Sequence, residues 1–188
     1  MDVNAKRTYD GGMTAETVGT PALAAALDAD PIATAREQWV GHGWAEAAPG
    51  MAAITSLMRA HQIALARVEA TLKPLGVSFA RYEVLMLLRF SKRGSLPMKL
   101  IASRLQVHPT SVTNAVDRLE SAGLVTREAH PDDRRALIIT LTPEGRATAE
   151  KATAALNTEV FAQPGLSTRD VEQLVEILGR MRHRAGDF

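Results

Sequence analysis

The sequence predicts a mainly α-helical fold that carries one small β-hairpin. Three observations lead there. Apolar residues recur at helical spacing in a series of segments, each bounded by a capping residue or a Pro/Gly break. Two of those segments, Met98–Leu105 and the one from Pro109 to the Gly123 cap, are short and joined by a turn of a few residues. A single pair of β-branched runs, "LVTREAH" and "ALIITLT", flanks the polar tip "PDDRR".

The elements follow in order. Residues 1–30 mix Gly, Thr, Asp and Ala and are expected to form a mostly mobile tail. Asp30 suits an N-cap with Pro31 at the first helical position, and Ile32, Ala35 and Trp39 share a face until Gly41 or Gly43 ends the helix. From Gly50 to Lys73, Ile54, Leu57, Met58, Ile63, Leu65, Val68 and Leu72 cover more than one face. That helix is expected to be buried on two sides, and Pro74 and Gly76 stop it. Ser78 caps "SFARYEVLMLLRF", a further helix, and "SKRGSLP" reads as a loop. Met98–Leu105 turns Leu100, Ile101 and Leu105 inward. Val107 and His108 make a tight turn, Pro109 opens the next helix, and Gly123 caps its end. After the hairpin, Thr142 and Pro143 start a helix of about four to five turns, broken at "AQPGLS". Ser167 caps the last helix, with Asp170 at the capping-box position. The expected division is a tail (1–30), N-terminal helices (31–75), a winged helix-turn-helix lobe (76–142) and C-terminal helices (143–188).

Composition narrows the function classes. With 188 residues and a hydrophobic fraction of 46% the chain can bury a real core. No apolar run approaches the roughly 20 residues of a membrane span, and the N-terminus lacks the apolar core of a secretory signal. Zero cysteines exclude disulfides, thiolate metal sites and a thiol sensor. The five histidines, His42, His61, His108, His130 and His183, include no i, i+4 pair, so no metal or other cofactor is expected. No phosphate-binding Gly loop or nucleophile elbow is present, which argues against an enzyme. A soluble cytoplasmic protein with no membrane partner is the expectation.

Charge points toward nucleic acid only once it is divided along the chain. The net charge is +1, but residues 76–146 hold 11 Lys and Arg against 7 Asp and Glu, while the remainder holds 11 against 14. The basic excess coincides with the helix-turn-helix and hairpin. There, "PTSVTNAVDRLE" places Thr110, Ser111 and Asn114 together at the start of a helix, with Pro109 before them and Thr113 at the boundary of the face. Val112, Ala115, Val116 and Leu119 supply the opposite, inner face. Short hydroxyl and amide side chains on an exposed helix start are what reading base edges in a major groove requires. Arg118, one turn on, is placed for the sugar-phosphate backbone. Taken alone, Ser and Thr here also suit simple capping, and Asn114 a solvated surface.

The hairpin tip adds a second argument. Arginine in a narrow minor groove gains from its enhanced negative potential, provided it is held extended. Arg135 is read as that residue, Asp133 as its orienter, and Arg134 as a phosphate contact. An ordinary polar tip would use the same residues for exposed ion pairs worth little.

These residues resemble the MarR (multiple antibiotic resistance regulator) family of transcription factors. Leu119, Gly123, Leu124, Val125 and Arg127 match its helix-to-wing junction, Asp133 and Arg135 its Asp-x-Arg wing signature, and Leu141, Thr142 and Gly145 its Leu-Thr-x-x-Gly. The resemblance runs from about Gly50 to the C-terminus. It implies a triangular homodimer with interleaved terminal helices. It also implies repression at a pseudo-palindromic double-stranded DNA operator and release by a small-molecule effector. The sequence departs at His108, where a hydroxyl residue is common, and at Asn114, where many members carry a basic residue. The helix from Gly50 to Lys73 and the last helix, through Val171, Leu174, Val175, Ile177 and Leu178, are the expected dimer interface.

In such proteins the ligand lies between the dimer helices and the lobe. Trp39, Trp44, Met58, His61, Gln62, Arg81 and Tyr82 are the candidates here, suited to an anionic aromatic ligand. "REQWVGHGW" resembles the extra N-terminal helix with which some branches bind urate-like molecules. Each of these residues also has an ordinary structural explanation, as a helix clamp, core or hydrogen-bonded surface. A low-specificity architectural DNA-binding protein is the alternative function.

Overall fold

The structure is a computed structural model that describes residues 28–105, 108–130 and 133–188, and the side chains of Pro109, His130 and residues 133–135 also lie outside the description. The expected tail thus falls almost wholly outside the described residues, as does Val107 of the expected turn. The chain divides into two compact units, Met1–Ser56 and Leu57–Phe188.

In the first unit, α1 spans Pro31–Gly41, and the Asp30 carboxylate accepts from the Ile32 N–H at 2.9 Å. His42 closes the helix, and Gly43 follows at φ +86°, a left-handed conformation that glycine adopts without penalty. Helix α2, Ala48–Leu72, begins here and continues into the second unit.

The second unit holds the core. Only the last turns of α2 enter it, through Val68 and Leu72. The expectation that α2 is buried on two sides is therefore corrected. Ile54, Met58, Ile63 and Leu65 are between 37% and 61% exposed, because periodicity reports which faces are apolar and not what covers them. The end of α2 is instead fastened by polar contacts. Arg67 donates to the carbonyls of Glu159 at 3.1 Å and Gln163 at 3.0 Å, and the Thr71 hydroxyl donates to the Glu159 carboxylate at 3.1 Å. A cation on the terminal carbonyls of a helix is favourable electrostatics.

Beyond a 3₁₀ turn at Lys73–Leu75, Gly76 (φ +67°) reverses the chain into α3, Phe79–Phe90. Ser78 caps α3 as expected, and Val84, Leu85 and Leu88 are fully buried. The segment expected to be wholly loop contains a strand, β1, Ser95–Pro97, paired antiparallel with Ile138–Thr140. Three residues are too few to show an alternating pattern. Pro97 is tolerated because it ends an edge strand in a sheet of order β1-β3-β2.

Helices α4, Met98–Leu105, and α5, Pro109–Ser121, form the helix-turn-helix, and β2, Val125–His130, with β3, Asp133–Leu141, forms the wing. Helix α5 ends in a Schellman motif. Gly123 N–H reaches the Glu120 carbonyl at 2.8 Å, Leu124 N–H reaches Leu119 at 2.9 Å, and Gly123 takes φ +71°. Leu119 and Leu124 are both buried, so the motif feeds the chain directly into β2.

Thr142 caps α6, Pro143–Leu156, by accepting from the Gly145 N–H at 2.9 Å. Its hydroxyl donates to the Gly123 carbonyl at 2.8 Å, tying the start of α6 to the end of α5. Helix α6 then widens over Asn157–Phe161 into a π-helical stretch, closed by Ala162 N–H to the Asn157 carbonyl at 2.9 Å. The last helix, α7, spans Thr168–Arg184 behind the Ser167 cap and has no buried residue. Among the described residues no helix is long and apolar enough to cross a membrane.

Candidate nucleic-acid interface

The site is built on α5, whose two faces the sequence separates cleanly. Val112, Ala115, Val116 and Leu119 are 8% exposed or less, whereas Thr110, Ser111, Thr113, Asn114 and Arg118 are all exposed. Burial of each large apolar side chain contributes about 1.5–3 kcal/mol, which fixes the rotation of the helix and so the residues it presents. Helix α4 supports it from behind through Ile101, which is fully buried.

His108, the unexpected cap residue, does the work of a hydroxyl. Its Nδ1 accepts from the Thr110 N–H at 3.3 Å, an arrangement that leaves the ring proton on Nε2. The hydroxyls of Thr110 and Ser111 are thus not needed for the N-cap.

The helix-to-wing junction is held by Arg127 of β2, whose side chain is only 18% exposed. Its Nη2 pairs with Asp117, and its Nε lies 3.1 Å from a carboxylate oxygen of Glu120, both acids on α5. The Nε–H is buried and makes no hydrogen bond among the described residues, so its link to Glu120 is electrostatic. Nothing in the local sequence announces this clamp, since the partners lie 10 and 7 residues away on another element. Arg127→Met keeps most of the apolar packing and removes the charge. We expect a loss of about 1–2 kcal/mol, below the 3–5 typical of fully buried pairs because both acids are half-exposed. Urea denaturation read by far-UV circular dichroism checks it, and an unchanged midpoint would deny the clamp.

A groove of about 550 Å³ runs beside α5, lined by Ser78 and Arg81 of α3 and by Ser111, Asn114, Asp117 and Arg118. Arg81, expected in a ligand cleft, thus shares a groove with the exposed face of α5. Of the other ligand candidates, Tyr82 is core, 7% exposed, with its hydroxyl 3.1 Å from that of Thr153. Met58, His61 and Gln62 are exposed on α2, where Arg59 donates to Gln62 at 3.3 Å. Trp39 and Trp44 pack edge to face with centroids 5.1 Å apart, and His42 stacks on Trp44 at 5.6 Å. Both tryptophans line a cavity of about 680 Å³ within the first unit, with Glu46 on its wall. A carboxylate there has the wrong sign for an anionic ligand. On α3, burial pushes the Glu83 carboxyl above its ordinary value.

The wing brings Glu128 opposite Ile138 and His130 opposite Asp133, with an irregularity in register between Ala129 and His130. The backbone of Asp133, Arg134 and Arg135 belongs to β3. Their side chains, like that of Pro109, lie outside what the structure describes.

A polar, exposed second helix with an antiparallel wing behind it defines a winged helix-turn-helix protein. The family model described as "MarR family" matches residues 78–137. A MarR family transcriptional regulator of Streptomyces coelicolor, Sco5413, is 48% identical, with a TM-score of 0.68 over 74% of this chain and 97% of that one. The HTH-type transcriptional repressor Mb2911 of Mycobacterium bovis is 32% identical over 65% of this chain and 90% of the relative. Sco3205, a Streptomyces coelicolor MarR family regulator solved in complex with DNA, is 26% identical, with a TM-score of 0.61 over 69% of this chain and 82% of that one. The match to the Bacillus subtilis regulator YhbI, at 36% identity, spans about half of that relative's length, 54%. The chain belongs to the MarR family.

Proposed function

We propose that the chain is a sequence-specific, double-stranded DNA-binding transcriptional regulator, acting as a dimeric repressor that a small ligand releases from its operator. The exposed polar face of α5, set by a buried apolar face and followed by the wing, is the observation that carries this reading. In it Pro109, Thr110, Ser111, Thr113 and Asn114 meet the major groove, and Arg118 and Arg134 meet the backbone. Arg135, oriented by Asp133, enters the minor groove. The Sco3205 complex with DNA, on the same fold, supports it.

Footprinting on the chain's own upstream DNA tests the reading. A protected pair of half-sites about one helical turn apart is expected. Equal affinity for every duplex would instead indicate an architectural binder. Arg135→Ala is expected to weaken binding to all duplexes by about 1–3 kcal/mol, and Asn114→Ala to relax preference at one base pair. Mobility-shift titrations on a panel of single-base operator variants separate the two. Parental binding by both would rule out this docking mode.

The effector part of the reading draws support from the cavity at Trp39 and Trp44. Glu46 on its wall favours a neutral or cationic aromatic molecule over the anionic one expected from sequence.

A further inference from the structure

Resting on that reading, we infer that Arg81 of α3 is a DNA-backbone contact, gripping a phosphate in the groove that it lines together with Arg118. Three observations carry it. First, Arg81 and Arg118 line one groove together with Ser111 and Asn114, so a strand tracked by α5 passes both guanidinium groups. Second, Arg81 is pre-set. The Ser78 hydroxyl accepts from its Nε at 3.1 Å and from its backbone N–H at 3.4 Å. One edge of the guanidinium is thereby fixed, while the terminal nitrogens make no ion pair among the described residues. A guanidinium held this way loses little side-chain entropy when it forks onto a phosphate. Third, the acid that shares the groove already has a cationic partner of its own. Asp117 is paired with Arg127, and Arg127 also lies against Glu120. Neither Arg81 nor Arg118 is in an ion pair among the described residues, so the groove presents two unpaired guanidinium groups to the backbone.

The consequence is positional. Arg118 lies on the recognition helix itself, whereas Arg81 lies on a separate helix whose Val84, Leu85 and Leu88 are anchored in the core. Two phosphate contacts from two elements fix the angle at which α5 enters the groove, which one contact cannot do.

The test uses Arg81→Gln and Arg81→Lys in the full chain, with the footprinted operator and a scrambled duplex of equal length. Arg81→Gln should weaken both duplexes by the same factor, about fivefold to tenfold, and lower the slope of log K against log salt by about 0.9. Arg81→Lys should restore the slope, because it restores the charge. Replacing single operator phosphates by neutral methylphosphonates should weaken the parent at one position where Arg81→Gln is indifferent. An unchanged slope, a loss confined to the operator, or equal methylphosphonate sensitivity in parent and variant would overturn the assignment. So would inorganic phosphate stabilising the DNA-free parent and not Arg81→Gln, because that result marks a small-anion site. A parent chain that bound no duplex at all would remove the DNA-binding reading itself, and this contact with it.

Discussion

Gly145→Ala is expected to lower the melting temperature of the chain by about 4–8 °C, although alanine is the better helix former by about 1 kcal/mol. The reason is close contact rather than flexibility. A Cβ on Gly145 would sit 2.0 Å from the Leu124 carbonyl oxygen, 2.9 Å from the Leu124 carbonyl carbon and 2.9 Å from Leu141 Cδ1. Backbone cannot swing aside as the end of a flexible side chain can. The Leu124 carbonyl is itself committed, accepting from the Thr142 N–H at 3.1 Å. Relief requires α6 to lift from the helix-to-wing junction, breaking the Thr142 bonds to Gly123 and Gly145. Overpacking of this kind costs about 1–3 kcal/mol or more, which outweighs the propensity gain. Gly50 in α2 has nothing within 4 Å of its would-be Cβ and serves as the control. Differential scanning fluorimetry of the two alanine variants decides the matter. Equal melting temperatures would mean that α6 does not press on Leu124.

The same glycine shows what was legible in the sequence. The Leu-Thr-x-x-Gly pattern was readable as a family signature, but its physical cause was not. The close approach joins residues 124 and 145, and only the fold brings them together. Amphipathic spacing in α5 gave the correct inner and outer faces, because four apolar side chains at helical intervals admit a single rotation. Capping residues at Asp30, Ser78, Thr142 and Ser167 were legible for a similar reason: each acts within three residues of itself.

What failed was either too short or too distant. Strand β1 has three residues and owes its existence to pairing with residues more than forty positions away. The Arg127 clamp and the partnership of Arg67 with the carbonyls of Glu159 and Gln163 depend on packing between elements. Arg81 is grouped with the ligand candidates for the charge it could offer an anion, a reading that does not depend on which way the residue faces. One residue along a helix is a rotation of about 100°, enough to put Tyr82 in the core and Arg81 on the groove beside α5. His108, read as a departure from pattern, supplies through Nδ1 the acceptor that a hydroxyl would have given.

Leu174→Glu combined with Ile177→Glu is expected to convert the proposed dimer to a monomer and to reduce operator affinity by at least about 100-fold. Helix α7 carries Leu174, Val175, Ile177 and Met181 with exposures of 43%, 66%, 53% and 46%. A run of large apolar side chains on one helix, each about half exposed, would gain about 1 kcal/mol apiece from cover by another surface. Placing two carboxylates in that stripe makes its burial against another copy prohibitive. The DNA consequence follows from bivalency. One recognition helix offers few base contacts, and joining two copies raises affinity by about 10²–10⁴ without any new contact. The variant should therefore lose the two-half-site footprint while matching the parent on a duplex that holds one half-site. Sedimentation velocity should show a single monomeric species. The parent's melting temperature should rise with protein concentration, as coupled dimerisation requires, and the variant's should not. A double variant that stayed dimeric would place the interface elsewhere. A monomeric variant with full operator affinity would show that one lobe suffices to read the site.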